Sequence, residues 1–167
     1  PEEVLDHAAE LGYDGIEVHH RFDPFPDATD DAGIAAYARK ITSRGMVVAG
    51  IQARVTQGRI FSVNPDERKA WSASAIAQVE FCYKLGGTQC GFWPAGRQPD
   101  LPDDMLVSRL SDALKPVAER AAQLGIMTTI EPEPVQIDYN YDIAARIVDA
   151  VGSDYFRMLY DCAHAQV

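Results

Sequence analysis

VAERAAQLGIMTTIE, residues 117–131, passes from a helical pattern through Gly125 into a short apolar run that ends on a carboxylate. Glycine suits that junction because it enters the left-handed conformation past a helix end without a Cβ penalty. The same progression occurs four more times. HAAELGYDGIEVHH (7–20) turns near Gly12, and YARKITSRGMVVAGIQ (37–52) turns at Gly45. AQVEFCYKLGGTQCGFW (77–93) turns at Gly86 and Gly87, and AARIVDAVGSDYFRMLYD (144–161) turns near Gly152. The runs after the glycines have strand length and β-branched or aromatic content. Helices alternating with such strands imply βαβ crossovers and a parallel sheet.

Two parallel architectures compete. A doubly wound sheet would carry a glycine-rich phosphate turn after a strand, and the sequence has neither GxGxxG nor GxxxxGK[ST]. A barrel gathers its chemistry at the C-terminal ends of several strands. Polar residues collect at those ends here: Glu17, His19 and His20, then Gln52, then Glu131 and Glu133, then Asp161 and His164. The segments after the strands are long and rich in Pro, Asp and Gly, whereas the glycine turns are short. The predicted fold class is therefore α/β, an incomplete (β/α)8 TIM barrel of about five βα units, with residues 1–167 forming one partial domain. Complete barrels run to about 250 residues. PEEVLDHAAEL at the start already reads as a helix, so the expectation is that the first strand and the last two units lie outside this sequence. Open sheet edges then predict a chain that is inactive and poorly folded by itself.

The composition excludes several classes of function. There are 15 basic and 25 acidic residues, a net charge of −10, and 47% hydrophobic residues. That balance argues against a nucleic-acid surface, which needs clustered Lys and Arg. No run approaches the roughly 20 apolar residues of a membrane span. Cys82, Cys90 and Cys162 are odd in number and form no CxxC pair, which suggests reduced thiols and a cytoplasmic location.

The chemistry-bearing constellation lies in IMTTIEPEP and FRMLYDCAH. By the two-residue period of a strand, Met127, Thr129 and Glu131 share one face. Arg157, Leu159 and Asp161 share another, which leaves Met158 and Tyr160 to pack under the helices. Pro132 cannot donate to a ladder, so the strand ends with the Glu131 carboxylate at the rim. Adjacent strands lie about 4.8 Å apart, close enough for two rim carboxylates to approach one cation. His164 can turn back to the same spot as a ligand or a hydrogen-bond partner of substrate. Glu133 rivals Glu131, since residues two apart in an extended segment share a face.

GYDGIEV, LGGTQCGFW, GIMTTIEPEP and the DCAHA ending resemble the sugar phosphate isomerase/epimerase family of xylose-isomerase-like barrels over nearly the whole chain. The most specific elements are a Glu-Pro after the fifth barrel strand and a D-x-x-H after the sixth. The resemblance implies a divalent metal ion (Mn, Mg, Co or Zn) held by a Glu, an Asp, a His and a second Glu. On this basis Glu131 matches the first Glu, Asp161 the Asp, and His164 the substrate-facing His. The remaining His and Glu would lie beyond Val167, so half of the shell is outside this sequence. The implied reaction is proton transfer next to a sugar carbonyl, with Glu131 both ligand and acid/base.

Each assignment has a plainer counterpart. Glu131 as an arginine-paired rim carboxylate, Asp161 as a helix N-cap and His164 as a solvated histidine are the alternatives. Glu17 belongs to the barrel-facing set of its strand, so it is expected to be buried and paired or to line the site. His19 and His20 point opposite ways, so at most one faces the pocket. Gln52 is a candidate substrate contact, and Trp93 either an apolar wall for a sugar ring or core. Arg54, Arg59 and Arg97 are loop candidates for a phosphate or carboxylate. Asp103, Asp104, Arg109, Asp112, Lys115 and Glu119 look like a solvated helix face. Rival functions are a polyol dehydratase, an endonuclease-type metal hydrolase, or a non-catalytic sugar-binding barrel. The expected partner is a small-molecule sugar, with no nucleic acid and no membrane; a homo-oligomer is left open.

Overall fold

A computed structural model describes residues 2–19, 26–96, 98, 100–133 and 141–164. Helices and strands alternate: α1 (Glu2–Glu10), β1 (Gly15–His19), α2 (Asp31–Thr42), β2 (Val47–Ala53), α3 (Pro65–Leu85), β3 (Gln89–Phe92), α4 (Asp103–Leu124), β4 (Met127–Ile130), α5 (Tyr141–Val151) and β5 (Phe156–Met158). The strands form one five-stranded sheet in sequence order, β1-β2-β3-β4-β5. All four pairings are parallel. Among the described residues no helix is long and apolar enough to cross a membrane.

The helix boundaries follow from local chemistry. The Asn64 side chain accepts from the Asp66 N–H at 2.9 Å, Pro65 opens α3, and Asp66 and Glu67 sit where the helix dipole favours negative charge. At the other end of α4, Gly125 adopts φ +69, and the next amide, Ile126 N–H, donates to Ala121 O at 3.0 Å. That six-to-one bond satisfies a carbonyl the helix would otherwise orphan and feeds the chain directly into β4.

The register sorts the strand residues into alternating rows. Val18, Ile51, Cys90, Thr128 and Phe156 lie side by side across the sheet, all buried. Ala53, Phe92, Ile130 and Met158 form the next row on that same, helix-facing side. Phe92 has no exposed surface, and its ring lies 6.1 Å from that of Trp71 on α3. The intervening row, His19, Gln52, Gly91, Thr129 and Arg157, faces the opposite, inner side. Tyr160 departs from the sequence expectation: it is 66% exposed and stacks against Tyr141, 5.4 Å between ring centroids, instead of packing under the helices. β5 ends at Met158, so nothing requires residue 160 to keep the strand's alternation. The charged positions of α4 are solvent-facing as expected, except that Arg109 is half-buried and donates to Phe61 O at 2.8 Å.

The thiols divide by burial. Cys82 and Cys90 are buried and Cys162 is exposed. Burial pushes the Cys82 thiol up to about 12 and holds Cys90 well above its ordinary value. The nucleophile is the thiolate, so a thiol-reactive disulfide should label Cys162 in the native protein and reach Cys82 and Cys90 only after denaturation. Rapid labelling of native Cys82 or Cys90 would contradict this packing.

Candidate metal centre

β4 delivers Glu131 to the inner rim. The last register pair of β3 and β4 is Phe92 with Ile130, so the next residues, Trp93 and Glu131, emerge side by side above the sheet. The Trp93 indole N–H donates to Glu131 Oε2 at 2.9 Å. The other oxygen, Oε1, lies 3.9 Å from His164 Nε2. Glu133 Oε1 and Asp161 Oδ2 lie 3.8 Å from the same nitrogen. The ladder between β4 and β5 extends past the strand ends, since Leu159 N–H donates to Ile130 O at 2.8 Å. That bond keeps the chain beside β4 as far as Leu159, two residues before Asp161.

Asp161 splits its oxygens between two tasks. Oδ1 accepts from the Ala163 N–H at 2.7 Å, closing the turn that swings His164 back over the rim, while Oδ2 faces the imidazole. The capping role and the inward-facing carboxylate therefore coexist. A residue that sequence reasoning missed holds this turn: the Tyr141 hydroxyl, at the start of α5, donates to Asp161 O at 2.8 Å. The contact joins positions 20 apart through a backbone carbonyl, so no spacing rule could have found it.

Ligand atoms of Glu131, Asp161 and His164 all lie within 4.8 Å of one another. The gaps of 3.8 and 3.9 Å exceed hydrogen-bond length. Two carboxylates that offer one oxygen each suit a hard or borderline divalent cation, and the imidazole beside them is placed to meet a molecule bound there. The residues present therefore fit a metal. Desolvation, the largest influence, holds the Glu131 carboxyl above its ordinary range; the Trp93 N–H and His164 oppose the shift, and Asp161 and Glu133 add to it.

Beside this cluster is a cavity of about 330 Å³ lined by His19, Gln52, Ala53, Arg54, Val55 and Trp93. Trp93 borders both, and its indole lies 5.1 Å from the His19 ring. The floor is polar. Gln52 and Thr129 are 4% and 6% exposed, and neither Gln52 Nε2 nor Thr129 Oγ1 has a hydrogen-bond partner among the described residues. Between them, Gly91 leaves the space the Gln52 amide occupies, for a Cβ there would stand 2.1 Å from Gln52 Oε1.

Other sequence candidates fare differently. Glu17 is exposed and not buried and paired; it lies on the inner side in register with Gly50, two inner layers below Glu131, and partial desolvation raises its carboxyl above the ordinary range. Arg59 is committed to Glu67 through two 2.9 Å contacts and does not reach the cavity lining. Arg157 turns back to Ser153 O and Asp154. His20 and Arg97 lie outside the described residues.

A parallel, helix-covered sheet with its polar groups at the C-terminal rim defines the class of α/β barrel proteins. The family model for the xylose isomerase-like TIM barrel matches residues 5–167, and the chain belongs to that family. The fold is similar to D-psicose 3-epimerase from Clostridium cellulolyticum H10, with TM-score 0.80 and 19% identity over 99% of this chain and 59% of that one. It is also similar to 3-keto-D-glucoside 4-epimerase from E. coli (TM-score 0.77, 19% identity, 99% and 65% coverage). An AP endonuclease of family 2 from Brucella melitensis matches at TM-score 0.80 and 18% identity, covering 99% and 64%. The chain thus spans less than two thirds of the length of each of these structures. No curated protein sequence matches it.

Proposed function

We propose that residues 1–167 contribute the Glu131–Asp161–His164 side of the active site of a divalent-metal-dependent sugar or sugar phosphate isomerase/epimerase. The observation that carries this is the convergence of those three side chains, with ligand atoms within 4.8 Å of one another, at the rim of a xylose isomerase-like barrel. Glu131 and Asp161 would hold Mn²⁺, Mg²⁺, Co²⁺ or Zn²⁺ through Oε1 and Oδ2. A cation there supplies Lewis acidity, polarising a sugar carbonyl and lowering the cost of negative charge on its oxygen.

Glu131 then takes up or returns the proton on the carbon next to that carbonyl. His164 and Glu133 hold substrate hydroxyls at the rim. The remainder of the sugar lies in the adjacent cavity, whose volume is at the small end of the roughly 300–1,000 Å³ typical of ligand pockets. There Gln52 and His19 offer hydrogen bonds and Trp93 an apolar wall. Glu17, two layers down, contributes only to the polar inner face. The likeness to an AP endonuclease raises phosphodiester hydrolysis as a second reading, which the net charge of −10 disfavours.

The test uses the full-length protein with ketoses and ketose phosphates in D2O. The expected result is deuterium incorporation at the carbon next to the carbonyl, abolished by a chelator and restored by Mn²⁺ or Co²⁺. Cleavage of an abasic-site duplex without sugar exchange would favour the hydrolase. Sugar binding with neither exchange nor metal uptake would favour a non-catalytic barrel.

A further inference from the structure

The two oxygens of Glu131 are not equivalent. Oε2 is taken by the Trp93 indole at 2.9 Å, and Oε1 is the oxygen that lies 3.9 Å from the His164 imidazole. We infer that Trp93 is a positioning residue that fixes the Glu131 carboxylate so that it offers a single oxygen to the cation. This rests on the metal-site reading above and adds the device that sets the coordination mode.

An indole is suited to the task by what it lacks. Its N–H donates only, so it neither competes with Glu131 for a cation nor exchanges roles when one binds. The ring is rigid and is anchored twice: β3 ends one residue before it, and the His19 ring lies against it, tilted by 49°. Glu131 is held as firmly, between the end of β4 and Pro132. With both partners set by adjacent, in-register strands, the bond is part of the sheet's geometry before any ligand arrives. A carboxylate free to rotate could engage the cation through both oxygens; held by the indole, Oε2 keeps its second lone pair clear of the cation for the proton. Outer hydrogen bonds of this kind typically change metal affinity by about 10–100-fold.

Two measurements on the full-length protein test this. Residues 1–167 include two tryptophans, so the indole N–H signals of Trp71 and Trp93 can be assigned by substitution in ¹H–¹⁵N spectra. In the metal-free protein the Trp93 signal should move upfield in Glu131→Ala while that of Trp71, buried on α3, stays in place. Second, Trp93→Phe should bind Co²⁺ about tenfold more weakly and alter the visible Co²⁺ spectrum as the carboxylate becomes bidentate. Replacing Trp93 with benzothienylalanine, which keeps the ring shape and loses only the N–H, should reproduce both changes even if the Phe variant is unstable. Wild-type affinity and an unchanged spectrum in the benzothienylalanine protein would overturn the inference. So would a Trp93 indole signal indifferent to Glu131 in a protein that binds Co²⁺. If the wild type binds no metal, the function reading fails and the positioning role falls with it, whatever the indole signal shows.

Discussion

Glu131→Gln is expected to lower turnover by roughly 10³-fold or more, since it removes a cation ligand and the proton-transferring group together. The same substitution should stabilise the metal-free protein at neutral pH. Three carboxylates, Glu131, Glu133 and Asp161, crowd one imidazole, and burial with its acidic neighbours keeps the Glu131 pKa above its ordinary value of 4.5. A carboxyl raised in the folded state favours folding while it is protonated. That contribution is present below pH 4.5 and is lost as pH rises through the folded pKa. Wild type should therefore melt below Glu131→Gln at pH 7, and the gap should close as pH falls beneath 4.5. The amide oxygen introduced by Glu131→Gln can still accept from the Trp93 indole, so the comparison isolates the charge.

Adding Mn²⁺ should reverse the order. A ligand at 100 times its Kd stabilises the folded state by about 2.7 kcal/mol, and only the wild type keeps its full ligand set. Melting curves with and without Mn²⁺ at two pH values provide the check. A variant that melts with wild type under every condition would mean that Glu131 is neither strained by its neighbours nor bound to metal.

Phe92→Ala should have the largest effect on stability, about 3–5 kcal/mol by urea denaturation. Typical domains hold only about 5–15 kcal/mol in total, so the variant loses a large part of its margin. The Phe92 ring is fully buried between the sheet and α3, against Trp71, where partial collapse cannot refill its volume. It also precedes Trp93 on the chain and pairs with Ile130, the neighbour of Glu131. The cavity would therefore loosen the rim from below, and metal affinity should fall along with stability. Phe92→Leu, which leaves a smaller void, should recover much of both. A loss below about 1 kcal/mol in Phe92→Ala would show that this row is not the packed core.

The helix–glycine–strand units were legible because a helix end needs a residue that tolerates positive φ. Gly12, Gly45, Gly86, Gly125 and Gly152 all adopt it. Glu131 was legible as a rim residue because strand alternation and Pro132 are local rules, whereas Asp161 lies past the end of β5 and was legible through the D-x-x-H pattern. Alternation also placed Glu17 on the inner side, but it assigns only a side of the sheet; burial depends on what covers that side, and Glu17 is exposed. Tyr160 failed where the strand stopped and alternation lost its hold.

Local chemistry along the chain was thus sufficient for the parallel α/β pattern, the strand order's βαβ logic and the candidacy of two rim carboxylates. Only the tertiary structure decided that Trp93 bonds Glu131, that Tyr141 holds the Asp161 turn, and that Gly91 makes room for the Gln52 amide. Those are contacts across strands and between distant segments. Their geometry is set by register and packing, which no single stretch of sequence contains. Glu131 was visible as a residue at a strand end; which of its oxygens is free became visible only beside its neighbours.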